Sequence, residues 1–333
     1  MASSSGAGRG DVRVCRPDML ASPLSCKPSG VTMSGSPPAV SRLLVVATGP
    51  GGLRLRQACA ELGLTAILAS GSAEALVARA LEAGCEALHP GEGEAVEQLA
   101  LAEACRRAGL RFLGSPAPLL AAMAEGGGMR RRMREAGLPL ASAVAGREVR
   151  MSLLADGQGR VVYLAPRQRL HEALSVAPLD WLTAERSTYL GRLAGQGVAA
   201  LGLTGLVEVR FRVEGNRPGF AAMAPGPTGD EALDEALTGL DPVVEQLRVL
   251  LGGRLRERQS RLAQHGHARL WRLSLPPEAG LSGGPGLRLD RARGEASARL
   301  LAWGRRAEEA RYRAWRGLVE LLGEAQATRL TLI

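Results

Sequence analysis

Between residues 42 and 137, short apolar runs alternate with segments of helical periodicity. Of everything in the 333 residues, this alternation most restricts the fold. RLLVVA (42–47), LTAILA (64–69), CEALH (85–89) and RFLGS (111–115) read as buried strands. Residues 51–63, 73–84 and 94–109 read as helices, and 116–136 as a further helical stretch. Strands alternating with helices through short loops predict a parallel, doubly wound α/β sheet. Ligands bind such sheets at the carboxyl ends of the strands, and two loops fall there. Thr48-Gly49-Pro50-Gly51-Gly52 is glycine-rich at a helix start, which suits an anion. It is neither GxGxxG nor a P-loop, and tight-turn geometry explains it equally well. In His89-Pro90-Gly91-Glu92-Gly93, two glycines flank an acid; this is a plain turn or a ligand loop.

Further on, Val207, Val209, Phe211 and Val213 alternate with Glu208, Arg210 and Arg212, the period of a half-buried strand. Glu214-Gly215-Asn216 supplies a turn, and residues 219–223 return as a second strand, followed by a loop and one long helix. A hard cation carrying phosphates on such a hairpin needs acids from both strands, because it wants several oxygens. The first strand offers Glu208; Phe220-Ala221-Ala222-Met223 on the second offers none. The alternative for Glu208 is an exposed acid paired to a nearby arginine.

The composition narrows the function. Five cysteines, an odd number without close pairs, predict reduced thiols in a cytoplasmic chain. No run of 18 apolar residues exists, so no membrane span is expected. A net charge of +9 raises nucleic acid as a partner. Against it, the arginines are scattered among acids and only 3% of residues are aromatic, leaving little for base stacking. Lys27 is the only lysine, so no catalytic lysine is available in the folded body. Residues 1–41, rich in Ser, Gly and Pro, are expected to be a disordered tail, with Met33 as an alternative start.

A resemblance joins these pieces. HPGEGEAVEQLALAEACRRAGLRFLGSPAPLLAAMAEGGGMRRRMREAGLP (89–139) resembles the first domain of biotin carboxylases, the ATP-grasp subunit of acyl-CoA and pyruvate carboxylases. LLADGQGRVVYLAPR (153–167), TGLDPVVEQLRVLLGGRL (238–255), HGHARLWRLS (265–274) and GPGLRLD (284–290) are similar to later family segments, in order. The resemblance implies a Rossmann-like pre-ATP-grasp domain (42–140), an ATP-grasp-like remnant (150–258) and a biotin carboxylase C-terminal-like domain (259–333). ATP and Mg are the implied cofactors and biotin the implied substrate.

Residue by residue, the resemblance assigns the ligand loop to His89, Gly91, Glu92 and Gly93, and a histidine of the nucleotide side to His171. Glu208 matches a metal carboxylate, Asp230 a bicarbonate-side glutamate, and Arg288 an arginine that steadies the biotin enolate. The departures are as informative. Only ten residues separate Pro139 from Arg150, too few to fold as the family's mobile lid. The second metal acid falls on Ala222, the adjacent asparagine on Ala224 and a following arginine on Gly226. One phosphate lysine falls on Gly126, with Arg130 the nearest positive charge. The expectation is a lid-less, catalytically impaired biotin carboxylase-like protein with a structural or regulatory role beside an acyl-CoA carboxylase. Its expected partners are a biotin carboxyl carrier protein, an active carboxylase subunit or a second copy. The alternatives are a minimal active ATP-dependent ligase and a basic nucleic-acid-binding protein.

Overall fold

The computed structural model describes residues 40–47, 49–142 and 146–331, so the predicted tail lies outside the described residues up to Ala39. Val40 and Ser41, grouped with the tail on sequence grounds, belong to the fold. Val40 is buried, and the Ser41 amide and hydroxyl donate to Glu86.

The first layer matches its sequence pattern closely. It runs β1 (Arg42–Val46), α1 (Gly49–Glu61), β2 (Thr65–Ala69), α2 (Ala73–Glu82), β3 (Ala87–His89), α3 (Ala95–Ala108) and β4 (Arg111–Phe112). The strands are parallel in the order β2-β1-β3-β4. The strand order reverses direction beside β1, which places a crevice at the strand carboxyl ends. Cys59 and Cys105 are buried between this sheet and its helices. The single stretch expected over 116–136 is two helices, α4 (Ala117–Ala124) and α5 (Gly128–Glu135). Gly126 and Gly127 interrupt it, since glycine gains least from the helical conformation.

From α5 the chain passes into β5 (Arg147–Asp156) within residues 136–146, of which 143–145 lie outside the description. There follow β6 (Val161–Tyr163), β7 (Gln168–His171), β8 (Leu174–Ala177), α6 (Ala184–Ala200), β9 (Thr204–Glu214) and β10 (Arg217–Pro225). A second sheet is antiparallel in the order β10-β9-β5-β6. Val207, Val209, Phe211 and Val213 are buried on one face, with Val149, Met151, Phe220 and Met223, against α4, α5 and α6. The long helix expected after the hairpin is instead α7 (Glu231–Thr238) and α8 (Pro242–Leu250). Gly239 ends α7 in the left-handed conformation, and the Asp241 carboxylate accepts from the Val243 and Val244 amides to start α8.

The third sheet, in the order β12-β13-β11-β8-β7, combines the β7–β8 hairpin with β11 (His267–Ser274), β12 (Leu287–Arg291) and β13 (Ser297–Gly304). It is covered by α9 (Ala307–Leu322) and α10 (Glu324–Thr331) around buried Trp271 and Leu300. Among the described residues no helix is long and apolar enough to cross a membrane.

Candidate functional site

On the polar face of the second sheet, side chains from α7 and β11 join those of β9 in one network of ion pairs. Side chains alternate along a strand, so Glu208 and Arg210 of β9 and Arg150 and Ser152 of β5 share this face. Strand alternation alone would leave Glu208 half exposed. In the fold it is only 1% exposed, because Thr228 of the loop before α7 and the side chains of Arg150, Arg167 and Arg210 close over it. The expected alternative for Glu208 is therefore corrected in its exposure, while the arginine partner is present three times over.

Arg167, in the loop before β7, is the centre of the site. Its guanidinium is completely buried and reaches four groups at once. It donates to Glu208 Oε2 at 2.6 Å, Asp234 Oδ2 at 3.3 Å and the Ser152 hydroxyl at 2.7 Å, and its Nε lies 3.4 Å from Asp230 Oδ2. Arg210 donates through Nε to Glu208 at 2.8 Å, and Arg150 approaches the same carboxylate at 3.5 Å. Asp230 is shared among Arg167, Arg169 and Arg272. Burial alone would raise the Asp230 pKa, but these three cations outweigh it and hold it at about 2. Glu208 is likewise lowered against the pull of burial, by Arg167, Arg210 and Arg150. Asp234 behaves oppositely: burial pushes it up to about 7 despite Arg167.

This donor set does not fit a magnesium ion. A hard divalent cation wants six or more oxygens, whereas both Glu208 oxygens are already hydrogen-bonded to guanidinium groups. Across the hairpin, the residue opposite Glu208 is Ala224, and Ala222 lies opposite Arg210. Among the described residues no group of three His, Cys, Asp or Glu side chains is placed to hold a metal ion. Asp230 is not free to act as a base either, being locked as an ionised acceptor. Arg130, the sequence candidate for a replacement cation, donates to the backbone oxygens of Phe220 at 3.2 Å and Ala141 at 2.8 Å, so it clamps the hairpin to the α5–β5 connection.

The glycine loop of the first sheet forms a second cluster. His89 is fully buried; its Nδ1 accepts from the Gly91 amide at 3.0 Å, and burial lowers its pKa to about 4. Gly91 has φ +73°, and a Cβ there would overlap the Val46 carbonyl oxygen. Gly93 packs against Glu97. Glu92 stands between an open crevice and a small closed cavity, and its carboxylate is engaged. It takes a two-pronged ion pair from Arg299 of β13, at 2.9 and 2.5 Å. Arg288 is similarly engaged, bidentate on Asp290 through Nε to Oδ1 and a terminal nitrogen to Oδ2, each at 2.9 Å, and bonded to Glu235 at 2.9 Å. These residues, with Arg54, surround a cavity of about 20 Å³, room for roughly one water molecule. Beside it, at the carboxyl ends of β1 to β3, lies an open crevice of about 560 Å³ lined by Gly51, Gly52, Ser72, Glu92 and Glu97. His171 ends β7 with its ring 5.6 Å from Trp271 and its Nδ1 accepting from the Ala173 amide.

Thus Glu208 and Asp230 are brought together through Arg167, while Glu92 and Arg288 line one small cavity and His89 lies behind their loop. Arg167, Arg150, Asp234 and Arg299 were not singled out in the sequence. One signal existed for Arg167: it ends the segment LLADGQGRVVYLAPR, where the family pattern also carries an arginine.

Comparison with known proteins agrees with this architecture. Residues 69–120 match the model for the biotin carboxylase N-terminal domain, and residues 142–258 the model for the carbamoyl-phosphate synthase L chain ATP-binding domain. A pyruvate carboxylase subunit of Methanothermobacter thermautotrophicus is 24% identical over 331 residues, covering 68% of this chain and 67% of that protein. A biotin carboxylase of a Nostoc species is 28% identical over 170 residues, covering 43% of this chain and 36% of that one. In fold, the biotin carboxylase domain dimer of 2-oxoglutarate carboxylase from Hydrogenobacter thermophilus, solved with MgADP and bicarbonate, superimposes with a TM-score of 0.74. The two share 21% identity, over 84% of this chain and 89% of that one. Domain models, curated relatives and fold converge: the chain carries a biotin carboxylase N-terminal domain and a carbamoyl-phosphate synthase L chain-type ATP-binding domain, and it has the fold of biotin carboxylase domains.

Proposed function

We propose that this chain is a catalytically impaired biotin carboxylase-like protein, acting as a structural or regulatory partner beside an acyl-CoA carboxylase. The observation that carries the reading is that both Glu208 oxygens are taken by guanidinium groups while the facing strand, at Ala222 and Ala224, offers no second acid. Arg167, permanently charged and completely buried, joins Glu208, Asp230 and Asp234, where a carboxylate-bound metal would need those oxygens. A divalent cation would have to displace a guanidinium held by three acids, and the displaced charge would have no buried partner.

Three further features point the same way. The folded body has no lysine to neutralise a transferring phosphoryl group. The cavity beside Arg288 and Glu92 has no room for a bicyclic substrate. The alignment with the Methanothermobacter pyruvate carboxylase protein spans 331 positions but draws on 68% of this chain, so about a third of those positions face gaps here. That proportion suits loss of a whole lid between α5 and β5. In this reading the retained scaffold would dock a carrier protein, an active carboxylase subunit or a second copy.

Manganese, an EPR-visible stand-in for magnesium, tests the reading. Titrating Mn²⁺ into the protein with ADP present should leave the free Mn²⁺ signal equal to that of a protein-free control up to about millimolar metal, well above the range of tight sites. Stoichiometric loss of the free signal in the micromolar range would refute it.

A further inference from the structure

A hollow of about 620 Å³ opens beside the first turns of α6, outside the ion-pair network. The helix sequence explains it. Ala184, Ser187 and Thr188 lie at i, i+3 and i+4, so they share one face of α6, and all three are small. One turn on, Gly191 has no side chain, and a Cβ there would overlap the Tyr163 ring that packs on the helix. With no large side chain on this face, α6 leaves unfilled the space beside Met151, Leu179 and Leu182. These three belong to the core of the second sheet and give the hollow an apolar floor.

Another wall is the segment 259–266, which is pinned at both ends. Gln259 pairs its side-chain amide with Tyr163 as a neighbouring strand would. It accepts from the Tyr163 amide at 2.8 Å and donates to the Tyr163 carbonyl at 3.2 Å. At the other end the His265 amide donates to the Leu237 carbonyl at 2.8 Å, and the His265 carbonyl accepts from Trp303 Nε1 at 3.0 Å. Leu262 and Gln264, between these pins, line the hollow. Hydrogen bonds therefore hold the space open, and its volume is in the range of small-molecule sites.

The lining selects on charge. In a chain of net charge +9, no lysine or arginine is among the residues that line this hollow. Its acid, Asp180, has a side chain 78% exposed and stands 3.8 Å from His267, so it stays in water at the rim. An ion taken inside would lose its hydration without gaining a counter-charge. The Thr188 hydroxyl and the Gln264 amide can each donate and accept. The Ser187 hydroxyl donates to the Thr183 carbonyl at 3.0 Å and keeps its lone pairs as acceptors. Such groups suit an uncharged amide or hydroxyl, with an apolar ring against the floor.

We propose that this hollow binds an uncharged small molecule carrying a ring and an amide-like donor–acceptor group. The site lies apart from Arg167, and the inference goes beyond the proposed function without resting on it.

Ligand-observed NMR titration of the whole chain with benzamide, benzoate and benzamidine, alike in shape and differing in charge, tests it. Benzamide should bind saturably with a dissociation constant of roughly 1–10 mM, as expected of so small a ligand. Benzoate and protonated benzamidine should bind at least tenfold more weakly. Thr188→Trp fills the hollow and should remove benzamide binding at unchanged helix content. Ala184→Trp, at an exposed position one turn earlier, should do the same and keeps the test open if Thr188→Trp unfolds. Val96→Trp, at an exposed position on α3, should leave binding unchanged. The inference is overturned by no saturable benzamide response up to about 50 mM, by benzamide binding indifferent to the tryptophans in the hollow, or by either charged molecule binding as tightly as benzamide. Each of these outcomes leaves the exclusion of a metal at Glu208 untouched.

Discussion

Replacing Arg167 by methionine lowers the unfolding free energy by about 3–5 kcal/mol, the cost of removing one partner from a buried ionic group. Methionine roughly fills the volume, so the loss is electrostatic and not a cavity effect. Glu208, Asp230 and Asp234 would remain buried with less compensation, and the Ser152 hydroxyl would lose its donor. The remaining arginines soften the effect at Glu208 and Asp230, each of which keeps two other cations. Asp234 keeps none, and its pKa, already about 7, rises further so that it folds protonated. Urea unfolding of the two proteins at pH 7 measures the difference, and a change below about 1 kcal/mol would show that Arg167 is not the hub of the network.

The same residues set the pH response. Asp230 has a folded pKa below its unfolded value, so its stabilisation is full above pH 3.8 and is lost as pH falls towards about 2. Asp234 is raised, so its contribution is most favourable at low pH and declines as pH climbs from 3.8 through about 7. Wild-type stability measured across pH 5 to 7 should carry the Asp234 decline, and the Arg167→Met protein should extend that decline to higher pH.

Gly91→Ala has the second large effect, a loss of about 2–5 kcal/mol. The left-handed backbone at φ +73° costs an alanine roughly 1–2 kcal/mol, and the overlap with the Val46 carbonyl forces the loop or β1 to move, for a further 1–3 kcal/mol. Differential scanning calorimetry should show Tm falling by several degrees, at about 2–4 °C per kcal/mol for a larger domain. Gly63→Ala is the control: its φ is +72° but no atom lies within 4 Å of the added Cβ, so it should show the backbone cost alone.

The first sheet was legible because its signals are local. Apolar runs of four to six residues, bounded by glycines and spaced by helical periods, fall on β1 to β4 within a few residues. The break between α7 and α8 was also written in the chain, as Thr238-Gly239-Leu240-Asp241-Pro242, a C-terminal glycine followed by an N-cap and a first-turn proline. Reading the apolar period alone fused the two helices. The candidate site was harder. Glu208 and Asp230 could be picked by resemblance, but what holds them could not. Arg167 lies 41 residues before Glu208 and 67 before Asp234, and Arg299 lies 207 residues after Glu92. No periodicity links residues at such separations; only the fold brings an arginine to each acid. The emptied positions Ala222 and Ala224 were visible in the sequence, yet they do not disclose that the remaining acid is already occupied.

Phosphate release from MgATP, at high protein concentration and with bicarbonate and free biotin, tests the proposed loss of ATP-dependent chemistry most directly. The expected result is a trace that matches the protein-free blank and does not change when biotin or bicarbonate is added. Biotin-stimulated, bicarbonate-dependent release of phosphate would contradict it, and would mean that Arg167 yields its acids to a metal during turnover.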